Sequence, residues 1–257
     1  MADTGASLRQ AARAGDGRPS AGRVPGVLEA HLVVLPASLA REFVAFCEDN
    51  PLACPVLSVG KPGDPMLASL GADIDARTDA PAYLLGAGGM LRPEAELMDV
   101  WEKDSVVIAL AGWSAAAYAM AVAGIRFREP APGQVEPTYR SWIPVAPVAR
   151  FNGDLAVSMR PVDRDDERRA SSIAGRIQQG PGAPIHRGHP AHLGVLDALM
   201  PDWGEAVPPR SGEECLFWAS PVTALTVLEA ARLPFFATTA PGCPVVTDIR
   251  VDQPRWR

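Results

Sequence analysis

Between Asp104 and Arg126 the chain carries no charged side chain for 21 residues. This stretch limits the fold more than any other, because so long an uncharged run must leave water, in a membrane or in a core. Its internal order separates the two. Residues 106–110 (Val-Val-Ile-Ala-Leu) form a short, partly β-branched run of buried-strand length. Gly112-Trp113-Ser114 interrupts it, and residues 115–123 read as an alanine-rich helix stopped by Gly124. The reading is strand, tight turn and buried helix, with a membrane-spanning helix as the competing one.

The rest of the chain supports a packed interior. At 257 residues and 47% hydrophobic it is long enough for one large domain or two smaller ones. Its 23 glycines and 26 prolines imply many fixed turns. A net charge of −6 offers no basic surplus for a phosphate backbone, which excludes nucleic acid as the expected partner. Cys47, Cys54, Cys215 and Cys243 form neither a disulfide framework nor a C-x-x-C pair. Residues 1–22 lack the apolar core of a secretory signal, so the expectation is a soluble, cytoplasmic protein without a membrane partner.

Helical signals fall at residues 7–14, at Leu39, Phe43, Val44 and Cys47 behind a Ser38 N-cap, and along the charged run 163–176. Strand signals fall at 32–36, 54–59, 82–85, 138–143 and 155–159. Near the C-terminus Cys215-Leu216-Phe217-Trp218 leads through Ala219-Ser220-Pro221 into a helix over about 222–231, with Ser220 as N-cap and proline first in the helix. The chain thus has two strand–turn–helix units with serine at the turn. Either helices open at a sheet edge, where α/β proteins place ligands, or these are ordinary capped turns.

Chemistry-bearing residues are few. His186, His189 and His192 lie three apart, but Gly188 and Pro190 break any helix that would align them, and no carboxylate motif accompanies them. The expectation is a turn with one useful histidine and no metal. Gly112-Trp113-Ser114-Ala115-Ala116 lacks the closing glycine of a nucleophile elbow. Neither serine turn has the glycine spacing of a dinucleotide or P-loop site, so no cofactor is expected. Free N–H groups at a helix start suit a carboxylate, and Arg140 and Arg160, in strand-like settings, either clamp an anion or form structural ion pairs.

Several blocks resemble the D-glutamate cyclase family of hydro-lyases. They are Phe46-Cys47-Glu48-Asp49-Asn50-Pro51-Leu52-Ala53-Cys54-Pro55, Arg77-Thr78-Asp79-Ala80-Pro81, Val157-Ser158-Met159-Arg160-Pro161, Gly182-Ala183-Pro184-Ile185-His186-Arg187-Gly188 and Ala240-Pro241-Gly242. The resemblance implies an α/β fold in two subdomains, a sheet with flanking helices plus a smaller two-layer part. Residues 1–112 with 195–257 are expected in the first and 113–194 in the second. It also implies a small carboxylated or carbonyl-bearing substrate and loss of water by elimination or ring closure, as when D-glutamate closes to 5-oxo-D-proline.

Departures from the family pattern cluster at polar positions. The family's G-C-S-F-S-F-E is Gly112-Trp113-Ser114-Ala115-Ala116-Ala117-Tyr118. Its W-A-C-G-V-T-P-Q is Trp218-Ala219-Ser220-Pro221-Val222-Thr223-Ala224-Leu225. Its T-H-A-P-G-H-M is Thr238-Thr239-Ala240-Pro241-Gly242-Cys243-Pro244, and its Q-A-N-L asparagine is His31. A site re-lined for a larger, more apolar substrate is expected. Tyr118, Tyr139, His31 and His186 are the candidate proton carriers. Arg140, Arg160, Ser114, Ser220, Trp113, Thr223 and Thr239 are the candidate substrate contacts. Specialised biosynthesis is the expected setting, with a homodimer allowed. The alternatives are a non-catalytic binding protein that kept the pocket and a metal-dependent hydrolase using the three histidines.

Overall fold

The computed structural model describes residues 2–130 and 134–252. The chain begins with α1 (Gly5–Arg13), β1 (Val27–Pro36), α2 (Ala37–Asp49), β2 (Val56–Val59), β3 (Tyr83–Ala87), β4 (Met90–Glu94), β5 (Ser105–Ala111) and α3 (Ser114–Val122). It continues through β6 (Thr138–Pro144), β7 (Asp154–Asp163), α4 (Glu167–Ala174), β8 (His186–Arg187), β9 (Glu213–Ala219), α5 (Val222–Ala230), β10 (Phe236–Thr239) and β11 (Val245–Arg250). The uncharged run is β5, a two-residue turn and α3. No described helix is long and apolar enough to cross a membrane.

Two antiparallel sheets result. The larger is ordered β2-β5-β1-β10-β3-β4, with β11 also against β1; the smaller is β6-β7-β9-β8. The smaller sheet draws in β9 through seven pairs with β7, from Val157↔Ala219 to Asp163↔Glu213. Residues 213–219, expected with the first subdomain, pair with residues 157–163, expected with the second.

Both faces of the larger sheet are covered, and strand alternation decides which residue goes where. Val33, Leu35, Ile108 and Leu110 face Phe43, Phe46, Phe151 and Leu225, while Leu32, Val34, Val107 and Ala109 face Leu67, Leu70 and Ile74. Ala156 and Ala219 of the smaller sheet join the first of these clusters, so α5 packs between the sheets. Double-sided burial is why β5 reads as a continuous apolar run with no alternation.

Caps depart from expectation. Ser38 lies inside α2, which starts after Pro36 with no side-chain cap. Proline also precedes α5, yet Ser220 still accepts a bond from the Val222 N–H at 3.3 Å. The charged run gives only the eight-residue α4. β4, β8, β10 and β11 carry no strand signal in the sequence reading; the last two are held by pairing to β1, a long-range effect.

Candidate active site

The site begins where β1 changes partner. One edge of β1 follows β5 from Ala30↔Ala111 to Pro36↔Ser105. Its other edge pairs with β11 up to Ala30 and with β10 only from Val33. His31 and Leu32 lie at that seam, and the Leu32 N–H turns to Thr239 Oγ1 at 3.2 Å. Across the sheet, a Cβ on Gly112 would stand 2.9 Å from His31 Nε2, so glycine is needed for the close approach. Ser114, first in α3, accepts from the Glu29 N–H at 3.1 Å and ties the helix start to β1.

The other wall comes from β7, whose two-residue period sets Ser158, Arg160 and Val162 on one face. Val162 packs there with Trp113, Trp218 and Met120. Arg160 lies over the Trp113 ring at 3.9 Å, and the centroid of the Trp218 ring is 6.0 Å away. The Arg160 Nη1 donates to Ser158 Oγ at 3.1 Å, Nη2 pairs with Glu136, and Nε faces Glu129 at 3.5 Å, too far for a hydrogen bond. Trp113 donates its indole N–H to Glu129 Oε1 at 2.9 Å, so one carboxylate holds the stack from the side.

Between these walls lies an open cavity of about 270 Å³, lined also by Gly22, Val24, Phe127, Glu129 and Glu136 and by the turns at Ser220 and Pro241. From α3 it receives Ser114, Ala117, Tyr118 and Ala121, a stripe at helical spacing. From β1 it receives Glu29 and His31, two apart and on one face. Glu29 is 5% exposed; one carboxyl oxygen accepts the Gly22 N–H at 2.7 Å, and the other has no protein partner among the described residues.

Electrostatics follow from burial. Burial pushes the Glu29 carboxyl up to about 7, helped by nearby Glu129 and opposed by the Gly22 hydrogen bond and Arg160. Burial lowers His31 to about 4, which leaves a neutral imidazole at neutral pH. It also lowers Arg160 to about 10, against the pull of Glu129 and Glu29, so Arg160 stays charged.

Of the residues singled out from sequence, Trp113, Ser114, Tyr118, His31, Arg160 and Ser220 meet at this cavity. Thr239 lines a recess of about 20 Å³ that shares His31, Pro221 and Val222 with it. The remaining four lie elsewhere. Thr223 Oγ1 bonds both the N–H and the carbonyl of Ala156, which fixes α5 to β7. The Tyr139 hydroxyl donates to the Ala198 carbonyl at 2.7 Å. Arg140, on the edge strand β6, is exposed and pairs with Glu229 at 3.1 Å. His186 lies by His192 and Phe217, its Nε2 3.2 Å from the His189 carbonyl. Among the described residues, no group of three or more His, Cys, Asp or Glu side chains is placed to hold a metal ion.

Sequence reasoning missed Glu29, Glu129 and Glu136. Glu29 had a signal, since it stands two residues before His31 on one strand. Glu129 and Glu136 lie outside the helices and strands, where no periodicity exists to mark them.

Two antiparallel sheets with flanking helices and a charged cavity between them make a mixed α/β protein. The chain belongs to the D-glutamate cyclase family: the model of that family, D-glutamate cyclase, matches residues 107–248. Three curated relatives named "Putative hydro-lyase" show the extent. One from Jannaschia sp. (strain CCS1) is 41% identical over 96% of this chain and 94% of its own. One from Bordetella petrii is 42% identical over 90% and 88%, and one from Paraburkholderia phymatum 42% over 94% and 95%. Among solved structures, a nitrogen repressor-like protein from Methanococcus jannaschii overlaps 91% of the chain at a TM-score of 0.39 and 10% identity, too slight a likeness to build on.

Proposed function

We propose that this chain is a carbon–oxygen lyase of the hydro-lyase or cyclase type, acting in the cavity on a carbonyl-bearing metabolite, with Glu29 as its proton carrier. The observation that carries this is the shielded Glu29 carboxyl, with one oxygen fixed by Gly22 and the other left to a ligand. The names of the relatives agree with the class. A carboxyl near 7 can both take and return a proton at neutral pH, which elimination of water requires.

Two hydroxyls supply the second need. Ser114 accepts from the Glu29 N–H and Ser220 from the Val222 N–H, so each keeps its own O–H proton for an acceptor in the cavity. In a β-hydroxy carbonyl compound, Glu29 takes the proton next to the carbonyl. The carbonyl oxygen gathers negative charge, which the serine O–H groups stabilise. The electron pair forms the double bond as the C–O bond breaks, and the departing hydroxide leaves as water with the Glu29 proton. The departures at Trp113, Tyr118 and Ser220 share this cavity, and those at Leu225, Thr239 and His31 line the adjoining recess, which supports a changed substrate on a retained scaffold.

The test is a panel of D-glutamate and β-hydroxy carbonyl compounds scored by mass spectrometry for loss of one water. Turnover by the wild type that vanishes in a folded Glu29→Gln variant is expected. Binding of panel members without turnover of any would overturn the reading in favour of a binding protein. Full turnover by Glu29→Gln would remove the role given to Glu29.

A further inference from the structure

The charges on the cavity wall are unevenly accessible, and that fixes the sign of ligand it takes. Among the described lining residues the charged groups are Glu29, Glu129, Glu136 and Arg160; His31 is neutral. Arg160 is 2% exposed, whereas Glu129 and Glu136 are 40% and 28% exposed. The guanidinium has one face on Trp113 and its edges turned to Ser158, Glu136 and Glu129. An entering carboxylate would have to displace Glu136 or Glu129 and face the other together with Glu29, with no second cation among the described lining residues to receive it.

A cation meets the opposite situation. Glu29 leaves an oxygen free toward the cavity, and Glu129 and Glu136 are reachable beside it. The phenyl of Phe127 and the phenol of Tyr118 line the same space, and aromatic ring faces attract positive charge. Alanines 117 and 121, Val24, Val135 and Val222 make the rest of the wall apolar.

We infer that the ligand of this cavity is a protonated amine on an apolar body, its ammonium received by Glu29, Glu129 and Glu136 and its body lying against α3 and Phe127. Calling that ligand the substrate rests on the lyase reading; the charge preference does not.

Three matched probes test it by calorimetry and thermal shift at low salt: 2-phenylethylamine, 2-phenylethanol and 3-phenylpropanoate. The amine is expected to bind at least about tenfold tighter than the alcohol, a gap of about 1.4 kcal/mol, with the carboxylate weakest. Glu129→Gln with Glu136→Gln should bring amine and alcohol within about threefold. If the double variant does not fold, Glu129→Gln alone should narrow the gap. A carboxylate that binds as well as the amine, a preference unchanged in these variants, or no binding by any probe overturns the inference. Amine preference without turnover of any panel compound refutes only the lyase reading, and turnover with carboxylate preference refutes only this one.

Discussion

Replacing Glu29 by Gln should stabilise the protein, and only above a definite pH. The side chain is buried, and its carboxyl is raised from the ordinary 4.5 to about 7, first by burial and then by Glu129. A raised acid favours the protonated form in the folded state, so the unfolded chain ionises first as pH climbs. Below about 4.5 both states are protonated and Glu29 has no effect on stability. Between about 4.5 and 7 folding loses ground, and above 7 the full penalty applies. At about 1.36 kcal/mol per pH unit the difference comes to roughly 3 kcal/mol. Glutamine keeps the shape and the acceptor for the Gly22 N–H but cannot ionise. Urea unfolding of wild type and Glu29→Gln at pH 4.5, 6 and 8 measures the effect. The variant should match wild type at the lowest pH and exceed it by about 3 kcal/mol at the highest, or by roughly 6–12 °C in Tm for a chain of this size. His31, lowered to about 4, destabilises both proteins equally as pH falls and cancels in the comparison. A variant less stable than wild type at pH 8, or a difference that ignores pH, would refute the reasoning.

Three further outcomes follow from the packing. Trp113→Ala should cost about 3–5 kcal/mol in urea unfolding, since it removes a core indole and uncovers Arg160. Trp113→Phe, which keeps a ring but drops the bond to Glu129, should cost clearly less. Arg9 is buried and donates to the Val246 carbonyl at 2.7 Å, to Asp73 at 2.6 Å and to Asp248 at 2.9 Å. Arg9→Met should cost about 1–3 kcal/mol and speed hydrogen exchange in α1 before the sheets; exchange unchanged in α1 would show that other contacts hold the helix. A Cβ on Gly86 would stand 2.1 Å from the Phe236 ring, so Gly86→Ala should destabilise by about 1–3 kcal/mol. Adding Phe236→Leu should return part of that loss, measured by the same unfolding curves.

Local chemistry in the sequence determined the elements whose signals lie within a few residues. The β-branched run before Gly112 became β5, the alanine run became α3, and the blocks around Asn50, Arg160 and Gly182 already marked the family. Periodicity could not choose between Arg140 and Arg160, which occupy similar strand-like settings. The sheet order does: β6 is an edge and leaves Arg140 in solvent, while β7 is interior and buries Arg160 beside indoles from the turn before α3 and from β9. Tertiary structure alone buried Glu29 and brought it near Glu129, a hundred positions away, and so set the carboxyl near neutrality. Desolvation and charge pairing depend on what packs around a group, and for these residues that packing comes from distant parts of the chain.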